Sequence, residues 1–220
     1  MARPALRQTF LSPLIRENPI TLQILGICSA LAVTTSLDTA LTMSVSLTVV
    51  LVLSAAIISM IRRHIPVSIR LILQILIVAS LVIVIDQVLQ AYFFGISQRL
   101  SVFVSLITTN CLVLGRTESF ARSNPVIPSV VDAAGNGLGY SLILIVIGTI
   151  REVLGKGTLM GQPVLRSVED GGWFVPLNLM LLAPSAFFLL GLLVWAIRSA
   201  LPEQVEPPAH TPPRRREAGE

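Results

Sequence analysis

Read for its apolar and polar positions alone, the chain is a series of long uncharged stretches parted by short charged ones. Six such stretches run over 18–37, 39–61, 71–85, 100–115, 133–150 and 171–197. A bilayer core about 30 Å thick takes about 20 apolar residues per helix, so each stretch is a candidate span. The third is short by this measure, but it continues past Asp86 through Gln87, Val88 and Leu89 toward Tyr92, an aromatic of the kind that settles at an interface. No alternation of apolar and polar positions between turns competes with helices, and a spanning barrel needs that pattern. The pattern predicts an all-α polytopic membrane protein. Six transmembrane helices occupy 18–198, with an N-terminal arm at 1–17 and a tail at 199–220.

Composition sharpens this. The chain is 53% hydrophobic and only 13% charged, with a mean hydropathy of +0.80, so it lacks the polar surface of a water-soluble globule and has no room for a soluble catalytic domain. The net charge of +4 could suggest nucleic acid in a soluble protein. Here the basic residues lie between and beside apolar spans, where they set orientation instead. With the N-terminus inside, Arg3, Arg7, Arg16, Arg62, Arg63, Arg70, Arg116, Arg122, Arg198 and Arg214 to Arg216 face the cytoplasm. Arg99, Arg151, Lys156 and Arg166 face out, a bias of twelve to four. Both termini are therefore expected on the cytoplasmic side of the membrane. The first 17 residues lack the apolar stretch and small-residue cleavage site of a secretory signal, so the arm is expected to be retained. The segment after Pro202 is rich in Pro, Arg and Glu, and it is expected to stay disordered.

Six spans divide into three and three, and an odd number per half gives two similar halves opposite orientations. The first and fourth stretches are short, threonine-bearing and interrupted by glycine, as broken helices meeting near a membrane midplane would be. Those two stretches hold the only cysteines, Cys28 after Gly26 and Cys111 after Thr109 and Asn110. A free cysteine is often buried merely as a small hydrophobe, and a Cys28–Cys111 disulfide is another chemical option. Equivalent placement in two halves favours joint use. Two thiolates do not complete an iron–sulfur or zinc site, so a partner would supply the remaining ligands.

The run from Asn18, Pro19 and Ile20 through Gln23, Gly26 and Cys28 to Thr35 resembles the NqrDE/RnfAE family of membrane proteins. So does the run Thr109, Asn110, Cys111, Gly115, Arg116 and Glu118. Similar matches cover Arg63 to Pro66, Arg70, Asp86 to Leu89, Asp132, Gly135 to Gly137, Gly139, Tyr140, Arg151 and Glu152, so that roughly residues 10 to 200 are included. Cys28 to Leu31 and the Asp86–Gln87 pair look more like the NqrD-type branch than the RnfE-type one. The resemblance implies a redox-driven sodium pump that passes electrons from NADH through flavin and iron–sulfur carriers to ubiquinone. In it, Cys28 and Cys111 would be this chain's ligands to a [2Fe-2S] cluster shared with an NqrE-type subunit of opposite topology. NqrA, NqrB, NqrC and NqrF would complete the complex, carrying the flavins and a further iron–sulfur centre, and this chain would hold neither an NADH nor a quinone site. Backbone amides near Gly26 and Gly115 are expected to face the cluster. The alternatives are an RnfE-type component of a ferredoxin:NAD oxidoreductase and a cofactor-free inverted-repeat transporter.

Other residues have plainer readings beside functional ones. Asp86 is an acid within a span, hence a candidate sodium or proton ligand, yet its place near the outer end also suits an interfacial role. Arg116 and Glu118 are expected to anchor a helix end or pair with a neighbouring subunit. Asp132 is expected to cap the fifth span, and His64 to meet lipid headgroups. Gly135, Gly137 and Gly139 follow no strand, so close packing explains them better than a nucleotide loop does.

Overall fold

The structure, a computed structural model, describes residues 9–11, 13, 18–66, 69–92, 106–160, 162–163 and 177–200. Helices form where the chain is apolar, because a backbone shielded from water must close its own hydrogen bonds. They are α1 (Ile27–Val33), α2 (Leu37–Ile61), α3 (Arg70–Tyr92), α4 (Cys111–Arg116), α5 (Val126–Lys156) and α6 (Ala183–Ala200). A π-helical turn, Thr117–Ala121, continues α4, and a 3-10 turn, Asn178–Leu181, leads into α6. Among the described residues α2, α3 and α5 are long and apolar enough to cross a membrane. The 25 residues of α2 span about 37 Å at 1.5 Å each, against a core of about 30 Å. Among the described residues, the first apolar stretch carries the seven-residue α1 and the fourth the six-residue α4. A strand pair departs from the all-α expectation: β1 (Thr158–Leu159) pairs antiparallel with β2 (Gln162–Pro163), just after left-handed Gly157 ends α5. The terminal tail and most of the arm lie outside the described residues.

The core is the pairing of α2 with α5. Leu47, Val50, Leu51 and Ile58 of α2 are buried, as are Tyr140, Leu144 and Ile147 of α5. Hydroxyls along α2 fold back on their own helix, Ser44 onto the Ala40 carbonyl at 2.8 Å and Thr48 onto the Ser44 carbonyl at 2.7 Å, so the serines and threonines cost little in an apolar setting. By contrast, α3 leaves Leu71, Ile72, Leu76, Ile83 and Val84 exposed.

The glycines of α5 mark close approaches, two of them to backbone atoms rather than to a side chain. A Cβ at Gly137 would stand 2.7 Å from Thr48 of α2, whereas at Gly135 and Gly139 it would meet the carbonyl oxygens of Phe10 and Pro13 at 2.7 and 2.5 Å. The segment before α1 therefore lies directly on α5, and Asn18 Nδ2 ties it there by donating to the Gly139 carbonyl at 3.0 Å. Gly139→Ala is expected to displace this segment at a cost of about 1–3 kcal/mol, because a backbone has no rotamer with which to yield. A lower melting midpoint in detergent, with faster proteolysis ahead of Asn18, is the measurable result. Gly191→Ala, with nothing within 4 Å, is the control that should leave both unchanged.

Two expectations are corrected here. The fifth span was bounded at 133–150 by its flanking charges, yet α5 runs through them. Asp132 is not a cap: it lies inside α5, buried, and Arg116 Nε donates to its Oδ2 at 3.1 Å while Nη2 of the same guanidinium engages Oδ1. At the other end, Arg151 and Glu152 are also buried. Charges satisfied within the chain do not end a helix.

Candidate functional site

Both cysteines follow a break in an apolar segment. After Asn18 the chain makes a short turn, closed by the Leu25 amide donating back to the Pro19 carbonyl at 2.9 Å. Ile24 and Gly26 there take positive φ, 56° and 82°, a conformation that only glycine adopts without cost. α1 then begins, with Cys28 as its second residue. Farther along the chain the second break falls at Thr109 and Asn110. Asn110 caps α4 by accepting from the Leu112 amide through Oδ1 at 2.9 Å, and Cys111 is the first helical residue.

The two breaks meet. The Gly26 amide, two residues before Cys28, donates to Cys111 Sγ at 2.9 Å. Behind it, Asn110 Nδ2 donates to Ser29 Oγ at 2.8 Å, and Ser29 Oγ lies 2.6 Å from the Tyr140 hydroxyl. Ser29 also donates to the Gly26 carbonyl at 3.0 Å. Since a serine hydroxyl has one proton and two lone pairs, the tyrosine must be the donor in its pair, and every site on Ser29 is then used. Gly26 is held tightly, for a Cβ there would stand 2.8 Å from the Tyr140 ring. Residues from α1, α4 and α5 thus lock the two cysteine-bearing turns together.

Both cysteines are free thiols, and Cys28 is exposed while Cys111 is half-buried. The pair opens to the molecular surface rather than into the core. Among the described residues no group of three or more His, Cys, Asp and Glu side chains gathers anywhere. A metal centre at these sulfurs would take its other ligands from elsewhere.

The remaining predicted residues lie apart. Gly115 is not at the break; it sits inside α4 against Leu25, where a Cβ would come to 3.3 Å. Arg116 is consumed by Asp132 and stacks over the Phe120 ring at 5.6 Å. Glu118 pairs within the chain, with Arg70 at 2.7 Å and with Gln74 Nε2 at 2.8 Å. Asp86 accepts from Gln90 one turn along α3 at 2.8 Å, and no described contact joins it to the cysteines. His64 is exposed in the turn after α2. Sequence reasoning missed the parts played by Ser29, Asn110, Tyr140 and Arg151. The one signal available was polar residues placed beside each cysteine and in the glycine run of α5.

Comparison with known proteins accords with this architecture. Residues 6–194 match the family described as Rnf-Nqr subunit, membrane protein. The chain is 57% identical over 209 residues to the D-type subunit of the Na(+)-translocating NADH-quinone reductase of Pseudomonas paraeruginosa, covering 95% of this chain and 94% of that one. It is 56% identical over 201 residues to the same component in Serratia proteamaculans, covering 91% of this chain and 96% of that one. The same identity and coverage hold for its counterpart in Yersinia pestis. With the family pattern spanning nearly all of the apolar chain, this protein belongs to the Rnf-Nqr subunit family of membrane proteins.

Proposed function

We propose that this chain is the NqrD-type component of a Na+-translocating NADH-quinone reductase, and that Cys28 and Cys111 are its ligands to a [2Fe-2S] cluster completed by an NqrE-type subunit. The names of its relatives support the NqrD-type reading over the RnfE-type one. The observation that carries the cluster reading is the Gly26 amide on Cys111 Sγ, because it joins the two cysteine-bearing breaks in one place. The donor set suits the group: soft sulfur ligands match iron, the pair is open to a second chain, and an amide aimed at sulfur is a recognised means of tuning such a centre.

Each residue then has a task. Cys28 and Cys111 bind iron. The Gly26 amide stabilises negative charge on Cys111 Sγ, and Ser29, Asn110 and Tyr140 fix the spacing of the two turns. The α2–α5 pair keeps water from the interior side. Bound there, the cluster would supply a one-electron carrier partway across a core about 30 Å thick, too far for a single transfer. The wider frame belongs to the same proposal: six spans arranged as a 3+3 inverted repeat, both termini cytoplasmic, in an inner-membrane complex with NqrA, NqrB, NqrC and NqrF.

The test is iron, acid-labile sulfide and electron paramagnetic resonance on the purified complex, with Cys28→Ala and Cys111→Ala. Each substitution is expected to remove this cluster's signal and NADH-driven quinone reduction while NADH oxidation by artificial acceptors persists. Signal and turnover surviving in both variants would sink the assignment.

A further inference from the structure

At the Ile61 end of α2, the chain makes a cleft of about 100 Å³ lined by Ile58, Arg62, Ile65, Arg70, Gln74 and Arg122. Three guanidinium groups line it against one nearby carboxylate. Glu118 engages Arg70 at 2.7 Å and lies 3.8 Å from Arg122, while Arg62 has no hydrogen-bond or ion-pair partner among the described residues. The cleft therefore keeps a net positive charge. Gln74 adds a second observation. It is fully buried and gives its Nε2 proton to Glu118, yet its Oε1 has no partner among the described residues. A buried acceptor left empty costs about 1–3 kcal/mol unless a donor fills it.

The cleft's position adds a third. It lies where α2 ends at Ile61 and α3 begins at Arg70, hence at the plane where spanning helices leave the hydrocarbon. From its rim, α3 carries the exposed side chains of Ile72 and Leu76 into the apolar layer.

We propose that this cleft binds the headgroup of an anionic phospholipid. Arg62 and Arg122 take the phosphodiester, Gln74 Oε1 accepts from a headgroup hydroxyl or ammonium, and an acyl chain lies along α3. Planar guanidinium groups suit phosphate, and basic pockets between spanning helices are natural headgroup sites.

The test is labelling with a photoactivatable phosphatidylglycerol in membranes holding the full chain, with adducts mapped by mass spectrometry. Adducts are expected at 58–76, suppressed by excess unlabelled phosphatidylglycerol but not by phosphatidylcholine. Arg62→Ala combined with Arg122→Ala should reduce them about tenfold or more, the effect of losing two phosphate-directed cations, and the corresponding pair of lysine substitutions should restore most of the labelling. Equal competition by phosphatidylcholine would overturn the proposal. So would labelling abolished by inorganic phosphate, which would assign the cleft to a free anion, or its absence with crosslinks to a neighbouring protein instead. The competition arms use the unaltered chain and stand even where the substituted one fails to fold.

Discussion

Arg151→Leu is expected to cost the protein on the order of 3 kcal/mol or more and to cut its accumulation in membranes several-fold. Arg151 is fully buried in α5, and its charge is met by oxygens without a carboxylate among them. Nε donates to the Met180 carbonyl at 3.0 Å, and Nη2 to those of Leu181 and Leu182 at 3.1 and 3.2 Å. Nη1 reaches the Leu31 carbonyl at 3.3 Å and Thr34 Oγ1 at 2.6 Å. These oxygens belong to the end of α1 and to the turn that enters α6, where helix ends leave carbonyls without intrahelical partners. A leucine removes the arginine's donors from the Leu31 and Leu181 carbonyls and from Thr34 Oγ1, while Ser185 still donates to the Met180 and Leu182 carbonyls, and each carbonyl stranded in an apolar interior costs about 1–3 kcal/mol. Against a typical total stability of about 5–15 kcal/mol, that is a large share. Arg151→Lys keeps the charge but not the fork, so an intermediate melting midpoint is expected. Wild-type abundance and melting in Arg151→Leu would refute this account. Its neighbour complements it: Glu152 Oε2 accepts from the Leu37 amide at 2.6 Å, so α5 puts a cation on the C-terminus of α1 and an anion on the N-terminus of α2.

This explains where the sequence could be read and where it could not. Hydrophobic runs located α1 to α6, because an apolar stretch beside lipid has no other way to satisfy its backbone. Charge misplaced the ends of the fifth, since Asp132 and Arg151 are far in sequence from Arg116 and Leu31, the groups that neutralise or engage them. A charged residue with an internal partner and one at a water boundary look alike in a single chain. The cysteines drew notice through their matching positions, and Gly26 through its place before Cys28. Ser29, Asn110 and Tyr140 did not, because each is an ordinary polar residue until three separate segments converge. Gly115 misled for a related reason: glycine marks close approach as often as a break, and here it makes room for Leu25.

The cysteine turn and the Arg151 grip are two ends of one short element. α1 has seven residues, about 10 Å of helix. Ser29 and Gly26 hold its start and Arg151 its finish, so the position of Cys28 is fixed by contacts to α4 and α5 more than by α1's own few hydrogen bonds. Loosening either end should blur the geometry that Cys28 and Cys111 present to the proposed cluster.

Gly26→Val tests the first end and is expected to disturb the site more than any substitution that spares the cysteines. At φ 82° a β-branched residue is an outlier, with a backbone cost of about 1–3 kcal/mol. Its Cβ would also enter the Tyr140 ring at 2.8 Å, adding overpacking of about 1–3 kcal/mol. Relief requires the turn to rotate, which takes the Gly26 amide away from Cys111 Sγ. With the cluster bound, loss of that hydrogen bond removes positive potential from the sulfur and lowers the reduction potential. A cluster at reduced occupancy, with its midpoint shifted to more negative values, is therefore expected in redox titration followed by paramagnetic resonance. Gly26→Ala should show the same direction of shift with better occupancy, since it keeps the backbone strain and the clash but not the branching. An unshifted midpoint at full occupancy in both variants would mean that the amide does not act on the sulfur, and that its closeness to Cys111 reflects packing alone.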